Sequence, residues 1–90
     1  MLAVMKKPKN PPSPREIFGR NVRLVRRLKD ISQEELALRA EISRNYVSDV
    51  ERGARNVSID NMGLLAQALG VQLHDLVNPA MFGALDELSN

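Results

Sequence analysis

The sequence predicts an all-α protein, a compact bundle of five helices preceded by a basic, proline-rich arm. Three observations predict it. Apolar residues recur at steps of three and four along most of the chain, and no stretch alternates as a strand would. Serines stand ahead of four such runs (Ser13, Ser32, Ser43 and Ser58), where a hydroxyl can cap a helix N-terminus. The chain is 43% hydrophobic yet has no Trp and only three aromatics, so its core is built from Leu, Val, Ile and Ala, which suits helices better than a twisted sheet.

Four of the five prolines (Pro8, Pro11, Pro12 and Pro14) fall within the first 14 residues, alongside Lys6, Lys7 and Lys9. That composition packs poorly, and residues 1–13 are expected to form a flexible, extended arm. The domain is expected to span residues 14–78. Ser13-Pro14-Arg15-Glu16 opens the first helix with a capping box and Pro at the first helical position. The helix runs to about Lys29, with Phe18, Val22, Val25 and Leu28 as its apolar stripe and Arg20, Arg23 and Arg27 elsewhere. Ser32-Gln33-Glu34-Glu35 reads as a second capping box, and the helix it opens turns Leu36, Ala37 and Ala40 inward.

Glu41-Ile42 makes a very tight connection to Ser43, which caps a third helix with Val47 and Val50 on its buried side and Gly53 at its end. After the loop Ala54-Arg55-Asn56-Val57, Ser58 caps a fourth helix that directs Ile59, Met62, Leu65, Ala66 and Leu69 inward and stops at Gly70. A short fifth helix over 73–77 precedes Asn78-Pro79. In the tail, residues 79–90, Met81, Phe82, Leu85 and Leu88 are spaced for an amphipathic turn or two.

Ninety residues allow one small core and leave no room for a separate effector or catalytic domain. With no Cys and a lone His74, thiolate and histidine-rich metal sites are excluded. No Ser/His/Asp arrangement or Gly-rich phosphate loop is present, so neither an enzyme nor a cofactor is expected. Net charge is only +2, but residues 1–30 carry nine Lys/Arg against two acids while residues 31–90 carry four Arg against nine acids. The positive field therefore belongs to the arm and first helix. The apolar run at the N-terminus is shorter than that of a signal peptide and no segment approaches a membrane span, so a soluble, cytoplasmic protein is expected.

The third helix carries the functional signal. Arg44, Ser48 and Arg52 follow each other at steps of four, as do Asn45 and Asp49, so these polar residues share one face. A short helix presenting such groups from its first turn suits the edges of DNA bases in the major groove. Arg44 can bond guanine in a bidentate manner or sit on a phosphate. Asn45 can pair with adenine, and Asp49 can accept from cytosine while repelling phosphate. Gln33, at the start of the second helix, is placed to meet phosphate together with free backbone N–H groups. Tyr46 suits either partial core packing or a phosphate contact. The small Ala37 lets the third helix cross closely.

Over about residues 15–77 the chain resembles the phage-repressor and Cro type of helix-turn-helix domain. The resemblance rests on Arg26, Ser32-Gln33-Glu34-Glu35-Leu36-Ala37, Ile42-Ser43, Val47-Ser48, Val50-Glu51-Arg52-Gly53, Leu65-Ala66 and Ala68-Leu69-Gly70-Val71. It implies a lambda-repressor-like five-helix fold whose third helix enters the major groove, dimeric binding to palindromic operators, and an ion pair between Arg26 and Glu51. Arg44-Asn45-Tyr46-Val47-Ser48 with Glu51-Arg52-Gly53-Ala54-Arg55-Asn56 is also similar to small controller proteins of restriction–modification systems. That similarity implies backbone contacts from the loop, by Arg55 and Asn56. Two residues depart from the pattern: Glu41 stands where Gly is usual, which asks for positive φ at a non-Gly residue, and Val57 stands where Pro is frequent.

The expected protein is a homodimeric, sequence-specific DNA-binding regulator of transcription, a repressor or autoregulator. Arg44, Asn45, Ser48 and Asp49 are the candidate base readers, and Gln33, Ser43, Tyr46, Arg52, Arg55 and Asn56 the candidate backbone contacts. Leu73, Val77, Met81, Phe82 and Leu85 are the candidate dimer contacts. Two alternatives use the same fold: an antitoxin-like protein that binds a toxin and its own promoter, and a protein-interaction module without DNA binding.

Overall fold

A computed structural model describes residues 11–80, in which α1 (Pro14–Leu28), α2 (Gln33–Ala40), α3 (Arg44–Glu51), α4 (Ile59–Leu69) and α5 (Leu73–Leu76) follow one another. No strand occurs among the described residues. The first four helices begin alike. The hydroxyls of Ser13, Ser32, Ser43 and Ser58 accept from the backbone N–H groups of Glu16 (3.2 Å), Glu35 (3.0 Å), Tyr46 (3.0 Å) and Asn61 (3.1 Å). Each such cap is worth about 1 kcal/mol. At Ser13 the capping box is closed, because its own N–H donates to Glu16 Oε1 at 2.8 Å. At Ser32 only half the expected box forms: the Glu35 carboxylate instead accepts from Arg39, one turn on, at 2.8 Å. A guanidinium at i+4 draws the carboxylate more strongly than a neutral N–H does.

The same four helices also end alike. Asp30, Glu41, Gly53 and Gly70 have φ of 58°, 59°, 71° and 73°. The N–H of the following residue then reaches back five positions, from Ile31 to Arg26 O (3.0 Å), Ile42 to Ala37 O (3.0 Å), Ala54 to Asp49 O (2.9 Å) and Val71 to Ala66 O (3.0 Å). This left-handed termination satisfies carbonyls that would otherwise be left open and reverses the chain in two residues. Glu41 adopts the positive φ that its position demanded; such a conformation costs a non-Gly residue about 1–3 kcal/mol.

The reversal after α1 corrects its expected stripe. Ile31 is folded back and buried, while Leu28, assigned to the inner face, is 54% exposed. Ile59 is likewise exposed, at the outer end of α4, and packing against the core begins at Met62. The rest of the core matches the sequence reading: Phe18, Val22 and Val25 meet Leu36, Ala37, Ala40, Val47, Val50, Leu65, Ala66 and Leu69; Leu76, which that reading does not name, closes the end.

Two polar side chains tie α1 to the far end of the bundle. Buried Asn21 donates through Nδ2 to the carbonyls of Leu76 (2.9 Å) and Asn78 (3.0 Å). Lys29 Nζ donates to Leu69 O at 2.8 Å, at the C-terminus of α4. The fifth helix is one residue shorter than expected, and its Leu73 packs partly against the core. Val77 is exposed, and Met81, Phe82 and Leu85 lie outside the described residues. No helix among the described residues is long and apolar enough to cross a membrane.

Candidate nucleic-acid interface

The position of α3 is set from its inner side. Gly19 makes the closest approach of α1 to α3: a Cβ there would stand 2.1 Å from Val50 O and 3.1 Å from Glu51 O. Glycine is required by this contact, because backbone oxygen has nowhere to move. Two helical turns further along the same face of α1, Arg26 meets Glu51. Arg26 Nε donates to Glu51 Oε2 at 2.6 Å and Nη2 to Oε1 at 3.0 Å, while Nη1 donates to Ile31 O at 2.8 Å. The side chains are only 12% and 3% exposed. The pairing that the resemblance implied is therefore present, as a bidentate and largely buried one.

Glu51 also joins α2 to this network, since Gln33 Nε2 donates to Glu51 Oε1 at 3.0 Å. One carboxylate thus orients Gln33 at the start of α2 and anchors the end of α3. Ser43 has a double capacity: its oxygen accepts from Tyr46 N–H as the cap, and its hydroxyl proton is left to donate.

The outer face of α3 carries the expected constellation together. Arg44 and Asn45 are exposed in the first turn, and Ser48 and Asp49 are half-buried one turn later. Asp49 is not a free acceptor. It pairs with Arg52 through Oδ1 and with Arg55 through Oδ2, the latter at 3.4 Å. The Arg55 guanidinium also lies 4.5 Å from the centre of the Tyr46 ring, within reach of a cation–π contact. Tyr46 takes up the first of the two readings its sequence left open. Its ring packs partly against the core, and its hydroxyl accepts from Asn61 Nδ2 at 3.0 Å.

Sequence reasoning passed over Gly19, Asn61, Arg23 and Arg27. The last two line, with Arg26, Gln33, Ser48, Glu51 and Arg52, a recess of about 330 Å³ between α1 and α3. Their signal was present as a basic stripe but had been assigned only to a general positive field. Asn56 is exposed in the loop after α3, as its assignment requires. His74 is 77% exposed and lies 3.4 Å from Asp75 Oδ1, away from this face.

Two capped helices joined by a two-residue left-handed turn, the second with a polar outer face, define a helix-turn-helix unit. The chain belongs to the helix-turn-helix family, whose model matches residues 22–76. It is 45% identical over 74 residues to the control protein C.BamHI of Bacillus amyloliquefaciens, covering 81% of this chain and 91% of that one. The crystal structure of the restriction–modification controller protein C.AhdI from Aeromonas hydrophila is 44% identical, covers 69% of this chain and 94% of its own, and superposes with a TM-score of 0.67. A structure of the biofilm regulator SinR solved in complex with DNA is 31% identical, covers 68% of this chain and 98% of its own, and has a TM-score of 0.65.

Proposed function

We propose that the protein is a sequence-specific DNA-binding regulator of transcription, of the restriction–modification controller type, that binds a palindromic operator as a dimer. The observation that carries this reading is the geometry of α3. Its inner face is locked by Gly19 and the Arg26–Glu51–Gln33 network, and its outer face presents Arg44, Asn45, Ser48 and Asp49 together. A rigid scaffold under an exposed polar helix is what base reading needs, since side chains must meet base edges within hydrogen-bonding distance.

In this reading α3 enters the major groove N-terminus first. Arg44 and Asn45 read bases, with Ser48 and Asp49 on the same face, while Gln33, Ser43, Tyr46, Arg52, Arg55 and Asn56 meet the sugar–phosphate backbone. Two copies of α3 would engage half-sites about 34 Å apart on one face of the duplex. Leu73 and Val77, with Met81, Phe82 and Leu85 of the tail, are the proposed dimer contacts. Two relatives support the oligomeric and DNA-binding parts of this reading: SinR, solved on DNA, and the controller C.Esp1396I, 26% identical, solved as a tetramer on its natural 35 base-pair operator.

Selection of bound duplexes from a random pool, followed by binding measurements on the selected site, tests the proposal. Arg44→Ala should relax selection at one base pair and cost about 1–3 kcal/mol on the selected site. Arg55→Ala should weaken all duplexes alike and flatten the dependence on salt. Failure to enrich any duplex overturns the reading, and equal losses on selected and random DNA for both variants overturn the division of roles.

A further inference from the structure

Among the charged residues on the outer face of α3, Asp49 is the one whose surroundings differ from its assignment. A carboxylate that reads cytosine must offer a free oxygen to the exocyclic amine. Here one oxygen accepts from Arg52 and the other from Arg55. Both arginines are themselves candidate phosphate contacts. Arg55 is held from a second side by the Tyr46 ring, and that ring is anchored by the bond from Asn61 to its hydroxyl.

We propose that Asp49 is a specificity-determining residue that acts as an internal substitute for phosphate, holding Arg52 and Arg55 on the protein until α3 is seated in its cognate groove. The inference rests on the DNA-binding reading and deepens it. Its physical basis is the exposure of the cluster: the side chains of Arg52, Arg55 and Asp49 are 64%, 44% and 32% exposed. Ion pairs this exposed are weak and exchange readily, so the arginines can leave Asp49 for DNA. They do so with net gain only where phosphates come close enough to replace the carboxylate. On a random duplex, where α3 rides loosely along the backbone, two of the protein's cations are partly neutralised in advance. Non-specific binding, which is almost wholly electrostatic, is thereby weakened more than operator binding.

The recess lined by Arg23 and Arg27 also borders Arg52 and offers no comparable internal acceptor, since Glu51 there is buried and committed to Arg26 and Gln33. The proposed restraint therefore rests on Asp49 alone.

The test compares wild type, Asp49→Asn and the double variant Arg52→Gln/Arg55→Gln with and without Asp49→Asn. Each is measured as the full chain on the selected site and on a random duplex of equal length across a salt series. Asp49→Asn should raise affinity for the random duplex about tenfold and narrow the ratio of selected-site to random-duplex affinity by at least about threefold. The logarithmic salt slope on random DNA should steepen by about one to two phosphate equivalents. In the double-variant background the same change should have less than half that effect on a logarithmic scale. An equal gain in both backgrounds would mean plain charge repulsion and would overturn the proposal. A loss confined to one base pair of the selected site, with random binding unchanged, would make Asp49 a direct base reader instead. If wild type selects no duplex at all, the DNA-binding reading falls and this proposal with it; an unaltered melting curve for Asp49→Asn excludes misfolding as the source of any change.

Discussion

Two carboxylates two residues apart on α3 each hold two partners, and they do opposite work. Glu51 faces inward, is 3% exposed at its side chain, and binds Arg26 and Gln33 in a network that fixes where the helix lies. Asp49 faces outward and binds Arg52 and Arg55 in a cluster that solvent reaches in part. The same chemical pairing is a structural constraint in one setting and a reversible arrangement in the other. What separates them is desolvation: a buried charge that loses its partner cannot recover by hydration, whereas an exposed one can.

The sharpest way to break the comparison is to remove single partners on the inner side. Glu51→Ala or Arg26→Ala should each lower the free energy of unfolding by about 3–5 kcal/mol, because the remaining charge stays buried. The double change Arg26→Met/Glu51→Leu should recover much of that loss in denaturant titrations. It should not recover binding to the selected site, since Gln33 has lost the oxygen that orients it. Full recovery of both would show that the network stabilises the fold without positioning the reading helix.

Next in size comes Gly19. Adding one methyl group puts a carbon 2.1 Å from Val50 O, so Gly19→Ala must drive α1 and α3 apart. A cost of about 1–3 kcal/mol in stability is expected, as for other overpacked interfaces. Binding to the selected site should fall by a larger factor than stability alone accounts for, because the reading helix moves. On the outer side, by contrast, Arg52→Ala should change unfolding free energy by less than about 1 kcal/mol, measured in the same titrations, while altering the salt dependence of DNA binding.

How much of this was legible in the sequence follows from the range of each interaction. The serine caps and the glycine stops at Gly53 and Gly70 are local: cap and partner lie within a few residues, so the order and bounds of the helices could be read directly. The polar face of α3 was legible because helical periodicity alone brings Arg44, Asn45, Ser48 and Asp49 together. What escaped depends on the rest of the fold. Asp30 terminates α1 in a left-handed conformation without being glycine, and that reversal exchanges Leu28 for Ile31 in the core. Gly19 looks like an ordinary helix interior until the α3 backbone is seen against it. Asn21 bonds carbonyls more than fifty positions away, a partner that no local pattern indicates. The engagement of Asp49 was hidden for a different reason: Arg52 is at helical spacing, but Arg55 arrives only because the chain reverses after Gly53.

A third carboxylate gives the smallest effect and a separate check on the exposed class. Glu16 closes the Ser13 capping box and lies against Gly53, where a Cβ would come within 2.9 Å of its Cγ. Its carboxyl is held below the ordinary glutamate range, first by the Ser13 backbone N–H, which outweighs an opposing push from desolvation, with smaller help from the Ser13 hydroxyl and the charge of Arg20. The charged form is thus favoured in the folded state. Its contribution is complete above the ordinary glutamate value, and it is lost as pH falls from there through the lower folded value. Glu16→Gln keeps an acceptor oxygen for the Ser13 N–H but cannot titrate. The stability difference between wild type and this variant should be constant above about pH 6, where both folded and unfolded carboxyls are ionised, and should shrink on acidification. A difference that stayed constant into the acid range would mean that the box acts through shape alone and that the charge at this exposed site contributes nothing to the fold.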